Sequence, residues 1–265
     1  MNNESKFLSF LNLTDAYERR ARFMPAALTL LILVPTAIVL GIPLVGWMTT
    51  LLAGVGIGAV FAFGMSQISS AVGNWYQRSL YPDWPHDSPT NLRLMQDSKL
   101  SSSQQRSIWY SQINSITGLD ISKIPAEETD ELRQITNDAI ADIRGRLWKR
   151  SDTDRLQKQN TDYGYLRNFG GFWIAWLSFG LANVISTICA TVWLASEPAW
   201  VAVSILLFAF LCLYRFWISE TAVRAKANHY ADSFYNSLSL LCDATENLQV
   251  TSGTETRVHE TETNG

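Results

Sequence analysis

Apolar side chains are distributed very unevenly along the 265-residue chain. No charged residue occurs between Phe23 and Gln77, and a second apolar stretch near residues 169–218 is interrupted only by Glu197 and Arg215. A hydrocarbon core of roughly 30 Å needs about 20 residues of helix. The two stretches therefore predict four spans: residues 24–40, 44–65, 169–194 and 200–218. Gly41-Ile42-Pro43 supplies the reversal in the first pair, and Ala195-Ser196-Glu197-Pro198-Ala199 links the second. Pro35 is expected to kink span one.

Between the two pairs the pattern changes to amphipathic helix. Leu132, Ile135, Ala139, Ile140, Ile143 and Leu147 recur at helical spacing. Ser102-Ser103 is expected to cap a helix that Gly118 closes. Pro125-Ala126-Glu127-Glu128 has the composition of a helix first turn, with acids near the positive end of the dipole. A third helix is expected from Asp152 or Asp154 toward Tyr163, with a break at Gly164 as the bland reading of that glycine. No useful period-2 run appears, so the predicted fold class is all-α: an integral membrane protein with four transmembrane helices in two hairpins around a helical cytoplasmic domain.

The expected organisation is an amphipathic N-terminal segment at 1–23, hairpin one at 24–66, the helical domain at 67–168 and hairpin two at 169–218. A cytoplasmic helix follows at 219–248, with a disordered tail at 249–265. Phe7, Leu8, Phe10, Leu11, Leu13 and Tyr17 form a short apolar stripe that suits either a membrane interface or packing on the helical domain. The first apolar run lacks a small-residue cleavage site and reads as a retained anchor.

Charge sets the orientation. Arg19, Arg20, Arg22, Arg78, Arg167, Arg215, Arg224 and Lys226 flank the ends that four spans place on one side, and the two short loops opposite hold no Lys or Arg. Basic residues favour the cytoplasmic side, so both termini and the helical domain are expected there. The mean hydropathy of +0.02 conceals this division because it averages unlike regions. The net charge of -3 gives no whole-chain argument for nonspecific nucleic-acid binding.

Candidate chemistry is sparse. Cys189, Cys212 and Cys242 lie far apart and form neither CxxC nor metal-ligand spacing with His86, His229 or His259. No phosphate loop, HExxH or GxSxG is present, so no catalytic residue, metal or cofactor is expected. Asn183, Thr187 and Thr191 share one face of span three, and such a stripe either hydrogen-bonds between helices or lines a pore in an oligomer. Gly54 and Gly58 at GxxxG spacing allow close helix packing or an oligomer contact. Arg144, Arg146, Lys149, Arg150, Arg155 and Lys158 surround Trp148. That combination suits a phosphate-rich ligand with a stacking base, or anionic lipid headgroups.

Three blocks carry a resemblance. They are Asp15-Ala16-Tyr17-Glu18-Arg19-Arg20-Ala21-Arg22-Phe23-Met24-Pro25-Ala26; Ser88-Pro89-Thr90-Asn91-Leu92-Arg93 with Gln96-Asp97; and Asn160-Thr161-Asp162-Tyr163-Gly164-Tyr165-Leu166-Arg167-Asn168-Phe169-Gly170-Gly171. The last resembles an Asn-x-x-Tyr-Gly-Phe-x-Arg-Asn pattern before a third span, with Tyr165 in place of the usual Phe. Together they are similar to membrane effectors of two-gene anti-phage systems, in particular the Hailong effectors paired with a nucleotidyltransferase. The resemblance implies a homo-oligomeric channel, taken as a tetramer, whose cytoplasmic part binds a nucleotide or short single-stranded DNA made by that partner. Ligand would hold the channel closed, and its loss during infection would open it and arrest growth. Read from the residues, the ligand-contact candidates are Arg93, Arg144, Arg146, Trp148, Lys149, Arg150, Tyr163, Arg167 and Asn168. A non-channel membrane scaffold recruiting a cytoplasmic protein is the alternative reading.

Overall fold

The computed structural model describes residues 16–42, 55–124 and 129–243, and every regular element in them is helical. A π-helical turn at Glu18–Phe23 leads into α1 (Met24–Leu31), which is followed by α2 (Val34–Val39) and α3 (Val55–Leu80). Then come α4 (Pro89–Leu92), α5 (Ser103–Thr117), α6 (Thr129–Trp148), α7 (Asp154–Gly171) and α8 (Trp173–Leu194). The chain closes with α9 (Ala199–Leu213), a second π-helical turn at Tyr214–Ile218, and α10 (Ser219–Asn236). By contacts it divides into two compact units, Met1–Pro82 with Asn160–Lys226, and Asp83–Gln159 with Ala227–Gly265.

Among the described residues, two helices are long and apolar enough to cross a bilayer: Trp173–Leu194, and the 45-residue helix Ala199–Asp243. Between them Ala195 takes the left-handed conformation (φ 53°) that ends α8. Gly180 lets α9 approach closely, since a Cβ there would sit 2.8 Å from a ring carbon of Phe208. The first apolar segment is helical but interrupted at Ile32–Leu33, so it consists of pieces of 8 and 6 residues. Pro35 lies at the start of the second piece and has no N–H to continue the helix. The expected span at 44–65 falls partly outside the described residues, as does Gly54 and hence its pairing with Gly58. The Phe7–Tyr17 stripe short of residue 16, the first turn at 125–128 and the tail at 249–265 lie outside them too.

The first unit is centred on Trp176, which is fully buried among Ala26, Ile32, Phe172 and Leu211. Its indole N–H donates to Thr29 Oγ1 at 3.1 Å, and that hydroxyl donates back to the Pro25 carbonyl at 2.9 Å. Phe169 and Tyr214 pack on the indole with ring centroids 4.3 and 5.6 Å away. Burying the Trp176 ring with its polar edge satisfied makes it the anchor of the unit.

The second unit has its own core. Leu132, Ala139, Ile140, Ile143 and Leu147 point inward on α6, as their spacing predicts, with Ile135 partly buried beside them. Ser102 caps α5 by accepting from the Gln105 N–H at 3.1 Å, and Gly118 closes it at φ 75°. The sequence pattern did not mark the next contributors: Tyr230, Phe234, Tyr235, Leu238 and Leu241 come from the C-terminal helix and complete this core. Tyr235 stacks on Trp109 at 4.0 Å and donates to the Thr90 carbonyl at 2.6 Å. A further difference concerns α7, which runs on from Asp154 through Gly164 to Gly171. Gly164 serves close approach rather than a break, because a Cβ there would meet the Tyr17 hydroxyl at 2.8 Å and the Ala21 Cβ at 3.2 Å.

Candidate functional site

The first unit holds a buried polar network where α7 meets the N-terminal π-helical turn and α3. Proline chemistry explains why it exists. In a regular helix the Ala21 carbonyl would accept from the amide four residues later, but that residue is Pro25, which has no N–H and whose ring crowds the same carbonyl. The chain widens there into the π-helical turn, where the Met24 N–H donates to Arg19. Asn168, fully buried, supplies the missing donor: its Nδ2 reaches the Ala21 carbonyl at 2.7 Å.

The rest of the network orients that amide. Arg167 Nε donates to Asn168 Oδ1 at 3.1 Å, and Arg167 Nη1 donates to Gln77 Oε1 at 2.9 Å. The Tyr163 hydroxyl donates to the same Gln77 oxygen at 3.2 Å, with the Arg167 guanidinium 5.9 Å from the Tyr163 ring centre. Gly73 leaves the room needed, since a Cβ there would lie 1.9 Å from Asn168 Oδ1. Nearby, Asp162 accepts from Lys226 Nζ at 3.1 Å and lies 3.9 Å from Arg20. The block Asn160–Gly171, singled out by pattern, thus joins three chain segments through Asp162, Tyr163, Arg167 and Asn168.

A second amide, Asn183, repeats the logic fifteen residues further along both segments. Thr36, freed at the Pro35 break, donates its backbone N–H to Asn183 Oδ1 at 2.9 Å and its hydroxyl to the same oxygen at 2.6 Å. Asn183 Nδ2 donates to Ser204 Oγ at 3.1 Å. Asn183 acts as an N-cap supplied by another helix. The pairs Ala21–Asn168, Thr29–Trp176 and Thr36–Asn183 share one sequence offset of 147 residues. A constant difference means that the first apolar segment and the α7–α8 segment run parallel and in register. Of the expected polar stripe, Asn183 and Thr187 are fully buried. Thr187 and Thr191 donate back to the carbonyls of Asn183 and Thr187, both at 2.9 Å.

The remaining candidates lie in the second unit. Arg93, expected to face a ligand, is only 8% exposed and forms an ion pair with Asp232, with Nη2 3.4 Å from the Asn228 carbonyl. Sequence reading missed Asp232 because its helix is continuous with an apolar span. Around the exposed Trp148, Arg146 pairs with Asp142 at 3.0 Å, and Arg150 grips Asp152 through two hydrogen bonds of 2.8 and 2.6 Å. That guanidinium holds the Asp152 carboxyl below its usual range. Arg144 and Lys149 are exposed without an ion pair among the described residues. The patch therefore presents fewer free cations than its sequence counts. One further feature had no sequence signal: an open cleft of about 540 Å³ along α5, lined by Arg106, Ser107, Tyr110, Ser111, Asn114 and Asp120. Arg106 is used up within the fold by the carbonyls of Gln96, Ser98 and Ser101 at 3.0, 3.1 and 2.6 Å.

No protein family, curated protein or solved structure matches the chain.

Proposed function

We propose that the chain is a four-span, homo-oligomeric membrane effector of bacterial anti-phage defence. In this reading it is an ion channel gated by a nucleotide or short DNA oligomer that a partner nucleotidyltransferase makes, and opening arrests growth. The observation that carries the membrane part is the parallel register of the two apolar segments at a constant offset of 147 residues. Two segments crossing in the same direction require an odd number of crossings between them to be completed by one return, which residues 44–65 are long enough to make. The clustered arginines support a cytoplasmic location for the termini and the second unit. The Asn168 network supports the gating part. It ties the turn before span one to the helix before span three through a connected set of hydrogen bonds, and a network shared by two helices is the kind of element that a two-state switch uses. Exposed Arg144, Lys149, Arg155 and Lys158, with Trp148, are the groups available to meet a phosphate and a base. Purified protein in liposomes is expected to pass ions in a manner dependent on the oligonucleotide. Liposomes that stay impermeant with and without it would refute the channel.

One observation favours a second reading, a membrane scaffold that recruits a protein partner. The polar stripe of α8, the best pore lining available in the sequence, is consumed by packing at Asn183 and Thr187. A stable cytoplasmic complex with no conductance and no toxicity on overexpression is its expected signature.

A further inference from the structure

Arg215 sits in a position that the gating argument does not use. It lies in the π-helical turn Tyr214–Ile218, where the apolar run of α9 ends. Its guanidinium carbon is 4.8 Å from the ring centre of Trp173 and 5.9 Å from those of Tyr76 and Phe216. Trp75 stacks on Trp173 at 6.5 Å and extends the aromatic surface. Arg215 Nε is buried with no hydrogen-bond partner, and among the described residues no carboxylate pairs with this side chain. The nearest acid along the helix, Glu220, is taken by Arg224 at 2.9 Å. A cation held against three rings and lacking a counter-ion from its own unit is an incomplete pair.

We propose that Arg215 and its aromatic cage form a binding site for the phosphate of an anionic phospholipid headgroup. The proposal rests on the membrane reading above. Three features select this occupant. A guanidinium presents a planar fork that matches phosphate oxygens two at a time, and the rings behind it fix the plane of that fork. The residue stands at the end of an apolar helix, the depth at which headgroup phosphates lie and aromatic side chains collect. Phe216 and Trp217 beside it are 70% and 73% exposed, so the flank of the site is apolar and open, as acyl chains adjoining a headgroup require. The π-helical turn adds a residue to the helix here, a device that recurs at functional sites.

The test uses full-length protein. Carbonate washing of membranes comes first, and release of the protein without detergent would refute the membrane reading itself. Detergent-extracted protein is then titrated with equal phosphatidylglycerol and phosphatidylcholine, and bound lipids are counted by native mass spectrometry. The wild type is expected to retain phosphatidylglycerol about fivefold better, the factor equivalent to about 1 kcal/mol for one arginine at an anionic surface. Arg215→Gln is expected to lose that preference, and Arg215→Lys to keep part of it. Inorganic phosphate at the same concentration is expected not to displace the lipid. Equal retention of both lipids by the wild type, an unchanged preference in Arg215→Gln, or displacement by inorganic phosphate would each overturn the proposal. Should Arg215→Gln lose its helical circular dichroism, the wild-type comparison and Arg215→Lys still decide.

Discussion

Asn168 donates one hydrogen bond to Ala21 and accepts another from Arg167, and its loss has calculable consequences. Asn168→Ala removes the side-chain partner of the buried Ala21 carbonyl and that of the partly buried Arg167 Nε. Each orphaned group costs about 1–3 kcal/mol. A melting temperature lowered by several degrees in detergent is the expected result, larger than for Thr191→Ala, whose hydroxyl bonds only within its own helix and to Ser196. Gly73→Ala should be comparably harmful, by about 1–3 kcal/mol, because its methyl would occupy the space of Asn168 Oδ1. In the second unit, complete burial pushes the Tyr235 hydroxyl well above its ordinary value of 10.0. The neutral phenol is the form that the fold favours, so this contribution is intact below pH 10. It is lost as pH rises through the raised folded value, because the unfolded chain ionises first. Alkaline unfolding followed by circular dichroism should begin above about pH 10, and Tyr235→Phe should shift that onset upward while removing the bond to Thr90.

At the scale of elements, two prolines disturb the backbone hydrogen bonding of the first apolar segment, and two asparagines on a neighbouring segment supply partners. The pairing predicts coupling. Pro25→Ala restores an N–H that can reach the Ala21 carbonyl, so Asn168→Ala should cost at least about 1 kcal/mol less in that background than in the wild type. A double-mutant cycle on thermal stability measures the difference, and additive costs would show that Asn168 is not answering Pro25. Half of this arrangement was legible beforehand. Pro35 announced a kink, and Asn183 with Thr187 announced a polar face on one helix. Which helix would meet that face was not legible, because a period of 3.6 residues specifies a face and not its partner.

For the whole molecule, the proposed four-span topology makes a prediction that labelling can check. Single cysteines introduced near residues 16–20 and near 154–158, in a background lacking the native Cys189, Cys212 and Cys242, should react with a membrane-impermeant reagent from the same side of the bilayer. Opposite sidedness would exclude a four-span arrangement. The second unit was expected from residues 67–168 alone, yet its core also takes Phe234, Tyr235 and Leu238 from the end of the last long helix. The helix itself was expected at 219–248, but Tyr235 is more than 120 residues from Trp109 and Thr90, and no local pattern encodes a contact at that range.

By itself the sequence determined what depends on neighbours along the chain. Periodicity set the all-helical class, Ser102 and Gly118 set the ends of α5, and the long uncharged runs set the apolar helices, because caps, period and hydropathy act within a few turns. Tertiary structure alone decided which polar groups answer one another. Arg93 turned inward to Asp232, Arg146 and Arg150 were neutralised by Asp142 and Asp152, and Asn168 reached a carbonyl left unpaired by a proline 143 positions earlier in the chain. The physical reason is that a buried polar group must find a partner wherever packing brings one. Sequence shows that the need exists and only the fold shows how it is met.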